Sequence, residues 1–171
     1  MKRVFEVINE LEKERTIQKY ALGGAFALLF HATEPVNTSD VDIFVYFEVK
    51  KGKFIDLTPI FKALEKKGYK SHEHEGHVVI EGTPVQFLPL GTALVEQAFD
   101  KAETKKIEEV PVRVFSFEYL IAIMLETNRP KDRMRLATIW ESSKMDRTVL
   151  FQILADFGLR KRLEEVVGKV E

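Results

Sequence analysis

The chain has no cysteine among its 171 residues, a single tryptophan, no long apolar run and almost no net charge. Each absence excludes something. Without cysteine there is neither a disulfide framework nor a thiolate metal site, which fits a reducing cytoplasm and leaves folding to an apolar core. No apolar stretch reaches the roughly 18 residues of a membrane-spanning helix, and Met1 to Arg15 reads as a charged amphipathic helix without a signal-peptide core. With 26 Lys and Arg against 27 Asp and Glu the formal charge is −1, which argues against broad nucleic-acid binding while leaving room for a local basic patch. There is no internal repeat and no low-complexity linker. A chain of this length is expected to form one core, with or without a helical appendage.

What the sequence does contain is a glycine pair followed by a spaced pair of acids. Tyr20-Ala21-Leu22 is a short apolar run that reads as a strand, and Ala25 to Phe30 reads as the helix after it. Gly23-Gly24 is then a tight strand-to-helix turn, where the missing Cβ lets a phosphate approach free backbone N–H groups. Taken alone, such a pair before a helix is more often only a turn. Asn37-Thr38-Ser39 is a polar entry to Asp40-Val41-Asp42-Ile43-Phe44-Val45-Tyr46-Phe47, whose β-branched and aromatic content predicts a buried strand. Residues i and i+2 of a strand share a face, so Asp40 and Asp42 point one way and Val41, Ile43, Val45 and Phe47 the other. Two carboxylates side by side repel and lose hydration, and a nearby cation offsets both effects. The alternative is a pair of solvated acids at the strand mouth.

Gly-Gly, a short helix, then Thr-x-Asp-x-Asp on a strand resembles the signature of the nucleotidyltransferase superfamily with the DNA polymerase β-like fold, especially its minimal and abortive-infection-toxin-like prokaryotic members. The matching residues are Gly23, Gly24, Thr38, Asp40 and Asp42. The resemblance extends to the helix after Phe115 and to Arg129-Pro130-Lys131-Asp132, and so covers about residues 20 to 140. It implies that Gly23, Gly24, Thr38 and Lys131 hold the phosphates of an NTP. Asp40 and Asp42 would be the catalytic Mg²⁺ ligands, and an NMP would pass to a hydroxyl acceptor as pyrophosphate leaves.

The chain departs from that pattern at two places. A third carboxylate is expected on a neighbouring strand, and Gln86 stands there, an amide that can offer oxygen but no charge and no base. Val36 stands where many relatives carry an arginine. Val78 to Glu81 and Pro84 to Phe87 flank Gly82-Thr83, which predicts a type II′ hairpin with residues summing to 165 opposite each other. Glu81 is then diagonal to Gln86, as an accessory acid or as an exposed hairpin tip. Asp132 is a further accessory candidate, though an acid in the first turn of a helix needs no function.

Other residues read more simply. Ser71-His72-Glu73-His74-Glu75-Gly76 marks a solvated loop, His31 a polar helix end, and Arg160-Lys161-Arg162 a solvated helix face. The elements expected are helices at about 3–18, 24–30, 56–67, 90–102, 116–126, 130–142, 146–157 and from 159, with strands near 20, 40–48, 77–89 and 110–115, and a turn at Lys50 to Lys53. The fold expected is α/β (α+β), and the resemblance implies a mixed-sheet nucleotidyltransferase-like core over 1–115 with a helical region over 116–171 packed on it. The function implied is Mg²⁺-dependent NMP transfer from NTP to an acceptor that is a small molecule, a protein or RNA. Because of Gln86, the alternatives are a catalytically impaired nucleotide-binding or protein-interaction module, and a toxin–antitoxin-type subunit with a partner. The apolar helical tail either buries a homodimer interface or caps the sheet.

Overall fold

A computed structural model describes residues 1–33, 35–46, 56–72, 76–141 and 144–169. The described strands are β1 (Tyr20–Gly23), β2 (Val41–Val45), β3 (Ser71–His72), β4 (His77–Ile80), β5 (Thr83–Pro89), β6 (Glu103–Ile107) and β7 (Val110–Val114). They form one seven-stranded mixed sheet in the order β3-β4-β5-β2-β1-β7-β6. The middle of the sheet is parallel between β2 and β5 and between β1 and β7, and antiparallel between β1 and β2. The helices are α1 (Lys2–Lys13), α2 (Gly24–Ala27), α3 (Thr58–Lys66), α4 (Ala93–Asp100), α5 (Phe117–Thr127), α6 (Pro130–Ile139), α7 (Arg147–Asp156) and α8 (Arg160–Val167). An α/β fold with a mixed sheet is therefore what the chain adopts.

The strand alternation puts one face of β2, β4 and β5 in the core. Val41, Ile43 and Val45 on β2, Val78 and Ile80 on β4, and Val85 and Phe87 on β5 are all buried. They belong to one apolar core with Val4, Val7, Ile8 and Leu11, the i, i+3, i+4, i+7 stripe of α1, and with Phe5 beside it. The other face of β2 and β5 carries Asp42, Phe44 and Gln86. After β7 the chain turns helical, and α5 runs through the middle of that part, packing against α4, α6 and α7. Phe117, Leu120, Ile121, Met124 and Leu125 are buried there, so α5 is apolar almost all round, as a helix with neighbours on several sides must be.

Several boundaries depart from the sequence reading. Helix α1 stops at Lys13 and not near 18, because Arg15 turns left-handed at φ 59°. Its N–H donates to Glu12 O and that of Thr16 to Leu11 O, the paired bonds that close a helix end. The expected helix over Ala25 to Phe30 is one α-turn continued as a 3-10 turn over Leu28–Phe30. Strands β3 and β6 were not expected. Strand β6 is the exposed, lysine-bearing edge of the sheet, with little apolar alternation to betray it.

The β4–β5 hairpin pairs His77 with Gln86 and Ile80 with Thr83, so opposed residues sum to 163 and the turn is Glu81-Gly82. Both turn residues have positive φ, 50° and 77°, as a type I′ turn requires, and not the expected II′ turn. A shift of two in that sum preserves parity. The face assignment of every hairpin side chain therefore survives the slip. The turn expected at Lys50 to Lys53 and residues Glu73 to Glu75 of the expected His/Glu loop lie outside the described residues.

The basic run in α8 is not simply a solvated face. Arg162 donates to the carbonyls of Leu125 and Glu126 at 3.0 and 2.8 Å, satisfying the open end of α5, and Arg160 lies over the Phe151 ring. No helix among the described residues is long and apolar enough to cross a membrane.

Candidate functional site

Seven of the nine residues singled out in the sequence line one cleft of about 450 Å³: Gly24, Thr38, Asp40, Asp42, Gln86, Lys131 and Asp132. One wall is the polar face of the sheet. Asp40 precedes β2, and its Oδ1 accepts a hydrogen bond from the Thr38 hydroxyl at 2.8 Å. Thr38 thus fixes the first acid in place. Asp42 is directly beside Gln86 across the parallel β2–β5 pairing, so the amide does stand next to the second acid.

Asp42 is a costly residue. Burial raises its pKa above the ordinary carboxylate value, and the Asp40 charge raises it further, while Arg129, Lys131 and Arg135 across the cleft pull it back only in part. Among the described residues no hydrogen bond or ion pair satisfies its oxygens. A half-buried carboxylate in that condition is missing a partner.

The glycines divide the work of making room. A Cβ on Gly24 would fall on the Asp42 carboxylate, and the residue holds φ +61°, so the acid occupies the space that the missing side chain leaves. Gly23 is opposite Asp42 in the β1–β2 register, but its missing Cβ makes room for the Phe44 and Phe115 rings, which pack with centroids 4.9 Å apart. Gly24→Ala should therefore cost about 1–3 kcal/mol in backbone strain and displaced carboxylate, and should remove any cation binding at Asp42. Thermal melts and metal titration of that variant check this; cation affinity at the wild-type level would overturn it.

The opposite wall comes from the end of α5 and the start of α6. Lys131 and Asp132 sit in the first turn of α6, joined by Arg129 before it and Arg135 one turn later. Leu120, Ile123 and Met124 of α5 and Leu28 add an apolar side. Arg135 and the apolar side were not picked out from sequence. The i, i+4 spacing of Lys131 and Arg135 was the available signal, since it places both on one face of the helix. Glu81 is not brought to this cleft. It lies at the hairpin tip, accepting from the Tyr69 hydroxyl at 3.3 Å.

The donor set suits a hard divalent cation. Two carboxylates lining one cleft, Asp42 on β2 and Asp40 just before it, with the Gln86 amide in register with Asp42, are oxygen ligands of the kind Mg²⁺ takes, and such an ion would partner the unsatisfied Asp42. Among the described residues no group of three or more His, Cys, Asp and Glu side chains is placed to share a metal. Among the described residues the sheet wall offers two acids, and Asp132 belongs to the opposite wall.

The solved structure of an antigenic nucleotidyltransferase-like protein from Paracoccidioides brasiliensis is similar over 98% of this chain and 92% of its own, with a TM-score of 0.57 and 17% identity. The chain has a nucleotidyltransferase-like fold. The assignment rests on that likeness. The antibiotic-resistance factor ANT(2″)-Ia is more distant. Its solution structure matches at TM-score 0.47 and 17% identity over 92% of this chain and 91% of that one. Its crystal structure with adenylyl-2″-tobramycin matches at 0.46 and 16% over 96% and 94%. No protein-family model and no curated protein matches the sequence. Within the nucleotidyltransferase-like fold, the cleft lies where β1 passes into α2 and β2 begins.

Proposed function

We propose that the cleft binds a nucleoside triphosphate with Mg²⁺ and transfers its NMP to a hydroxyl acceptor. The observation that carries this reading is the unsatisfied Asp42 carboxylate beside Asp40, facing a wall of three cations across the cleft. Asp40 and Asp42 would hold the ion, which when bound neutralises them and draws charge from the phosphates. Thr38 keeps Asp40 oriented. Lys131 meets phosphate oxygens from the opposite wall, and Gly24 leaves the backbone open beside Asp42. Helix α2 is too short for its dipole to contribute much, so charge on the phosphates falls mainly to Lys131 and its neighbours. Attack of the acceptor hydroxyl on the α-phosphorus forms the new P–O ester bond, its proton passes to solvent water, and pyrophosphate leaves with the electrons of the old bond.

One observation favours a second reading. Gln86 occupies the place beside Asp42 where a third carboxylate would accept the hydroxyl proton, and an amide cannot take it at neutral pH. A nucleotide-binding module without turnover has the same cleft. Calorimetric titration with each NTP, with and without Mg²⁺, tests both readings when run beside the Asp40→Ala/Asp42→Ala double variant and a pyrophosphate-release assay. Metal-dependent binding that the double variant loses is the expected result. Release of pyrophosphate selects the enzyme, and tight binding without release selects the module. No binding of any NTP sinks both.

A further inference from the structure

The cationic wall is built around a buried charge. Asp132 stands in the first turn of α6, where an acid is ordinarily solvated, yet its side chain is only 1% exposed. Such a carboxylate needs partners for both oxygens. The Thr127 hydroxyl donates to Oδ2 at 2.9 Å, Arg129 donates through Nε to the same oxygen and through Nη2 to Oδ1 at 3.3 Å, and Arg135 Nη1 lies 3.6 Å from Oδ1.

The charges in this cluster do not balance. One carboxylate is shared by two guanidiniums, with the Lys131 ammonium beside them. The Arg129 and Arg135 side chains remain 56% and 22% exposed, so the guanidinium edges turned away from Asp132 keep free N–H donors. A guanidinium carries five N–H groups in a rigid fork that matches phosphate oxygens. Ordering two long side chains normally weakens ligand binding, and here the ordering is already done in the fold. The carboxylate wall requires a cation before it tolerates a phosphate. The guanidinium wall does not.

We propose that Asp132 is a positioning residue that holds Arg129 and Arg135 as a fixed guanidinium pair, and that the pair clamps a polyphosphate without a divalent cation. This rests on the nucleotide reading above for the nature of the ligand, and adds that its phosphate end is recognised separately from its metal end. Both arginines line the cleft, and their pairing with Asp132 involves no metal.

The test is calorimetry with inorganic tripolyphosphate in EDTA, with citrate as a control anion. Wild type should bind tripolyphosphate and discriminate against citrate. Arg135→Gln should weaken binding at least about tenfold, with Arg135→Lys recovering part of the loss, since it restores the charge but not the fork. Asp132→Asn, measured below its melting temperature, should weaken binding several-fold, whereas a merely structural role would lower the melting temperature and leave the affinity of the folded protein unchanged. If Asp132→Asn does not fold, the two Arg135 variants decide. Asp42→Asn should bind tripolyphosphate at least as tightly as wild type, because a repelling carboxylate is gone, while losing Mg²⁺-dependent NTP binding. The clamp is overturned if wild type does not bind tripolyphosphate in EDTA, if Arg135→Gln binds it equally, or if citrate competes on equal terms. Any of these can occur while Mg²⁺-dependent NTP binding persists, and a working clamp can occur without it.

Discussion

Asp42→Asn is expected to abolish metal-dependent nucleotide binding and, in the same protein, to raise its stability. The loss should be larger than the ~10- to 100-fold that an outer partner of a metal ligand is worth, because in the function proposed above Asp42 is a ligand itself. The gain follows from the condition of the carboxylate. It is half-buried, it is repelled by Asp40, and no hydrogen bond among the described residues repays its lost hydration. Asparagine keeps the shape and removes the charge, which should stabilise the metal-free protein by roughly 0.5–2 kcal/mol. A site residue that costs the fold stability is the trade expected where function, not packing, selects the side chain.

The pH dependence sets the sign of this claim. Asp42 has a folded-state pKa above the ordinary carboxylate value, so its protonated form is favoured by folding. The stability it contributes is fully present below the unfolded pKa of about 4 and is lost as the pH rises through its raised folded value. The melting-temperature advantage of Asp42→Asn in EDTA should therefore be absent in acid and open towards neutral pH. Adding Mg²⁺ at neutral pH should raise the wild type alone and narrow the gap, since a ligand that binds only the folded state stabilises it. A difference that is constant with pH, or a variant less stable than wild type at neutral pH, would refute the description of Asp42 as an unpartnered charge.

How much of this was legible in the sequence follows from which forces act locally. The strand acids and the glycine turn were readable because period-two alternation fixes which side chains share a face. That logic held even in the β4–β5 hairpin, where the turn slipped by one residue, since the slip moves opposed pairs by two and never exchanges the faces. Terminations that depend on a left-handed non-glycine residue were not readable. Arg15, Glu81, Glu108 and Glu109 all adopt positive φ, and nothing in their chemistry announces it. Strand β6 escaped for a related reason: it is held by pairing with β7, and its exposed Lys and Glu side chains carry no apolar period. The buried state of Asp132 is a tertiary fact. Its helix position predicts a solvated acid, and only the approach of Thr127, Arg129 and Arg135 makes burial tolerable. The cationic wall was therefore half-seen, with Lys131 named, Arg129 quoted only as part of its motif and Arg135 passed over.

Gln86→Glu is expected to have the largest effect on chemistry. The substitution is isosteric and sets a carboxylate in register with Asp42 on the parallel strand pair, beside the two acids already on that wall. Without metal the new charge repels Asp42, whose ionisation is already disfavoured, so the variant should melt below wild type in EDTA. With Mg²⁺ or Mn²⁺ the order should reverse, because three carboxylates bind the ion more tightly than two and the ion removes the repulsion. If turnover in the wild type is limited by the want of a proton acceptor, pyrophosphate release should rise by about 10²-fold, the scale of a positioned general base. The melts and the turnover separate two explanations. A variant that gains metal response and turnover together makes the wild-type amide a brake on a complete active site. One that gains metal response without turnover places the obstacle elsewhere, in a missing acceptor or in the phosphate end of the cleft. If neither changes, the Gln86 side chain takes no part in holding an ion with Asp42, and the register that puts it beside Asp42 has no catalytic meaning. If the wild type turns over readily and the variant is slower, the amide oxygen is itself the working ligand, and the site has settled on a neutral donor where two acids already supply the charge that a single divalent ion needs.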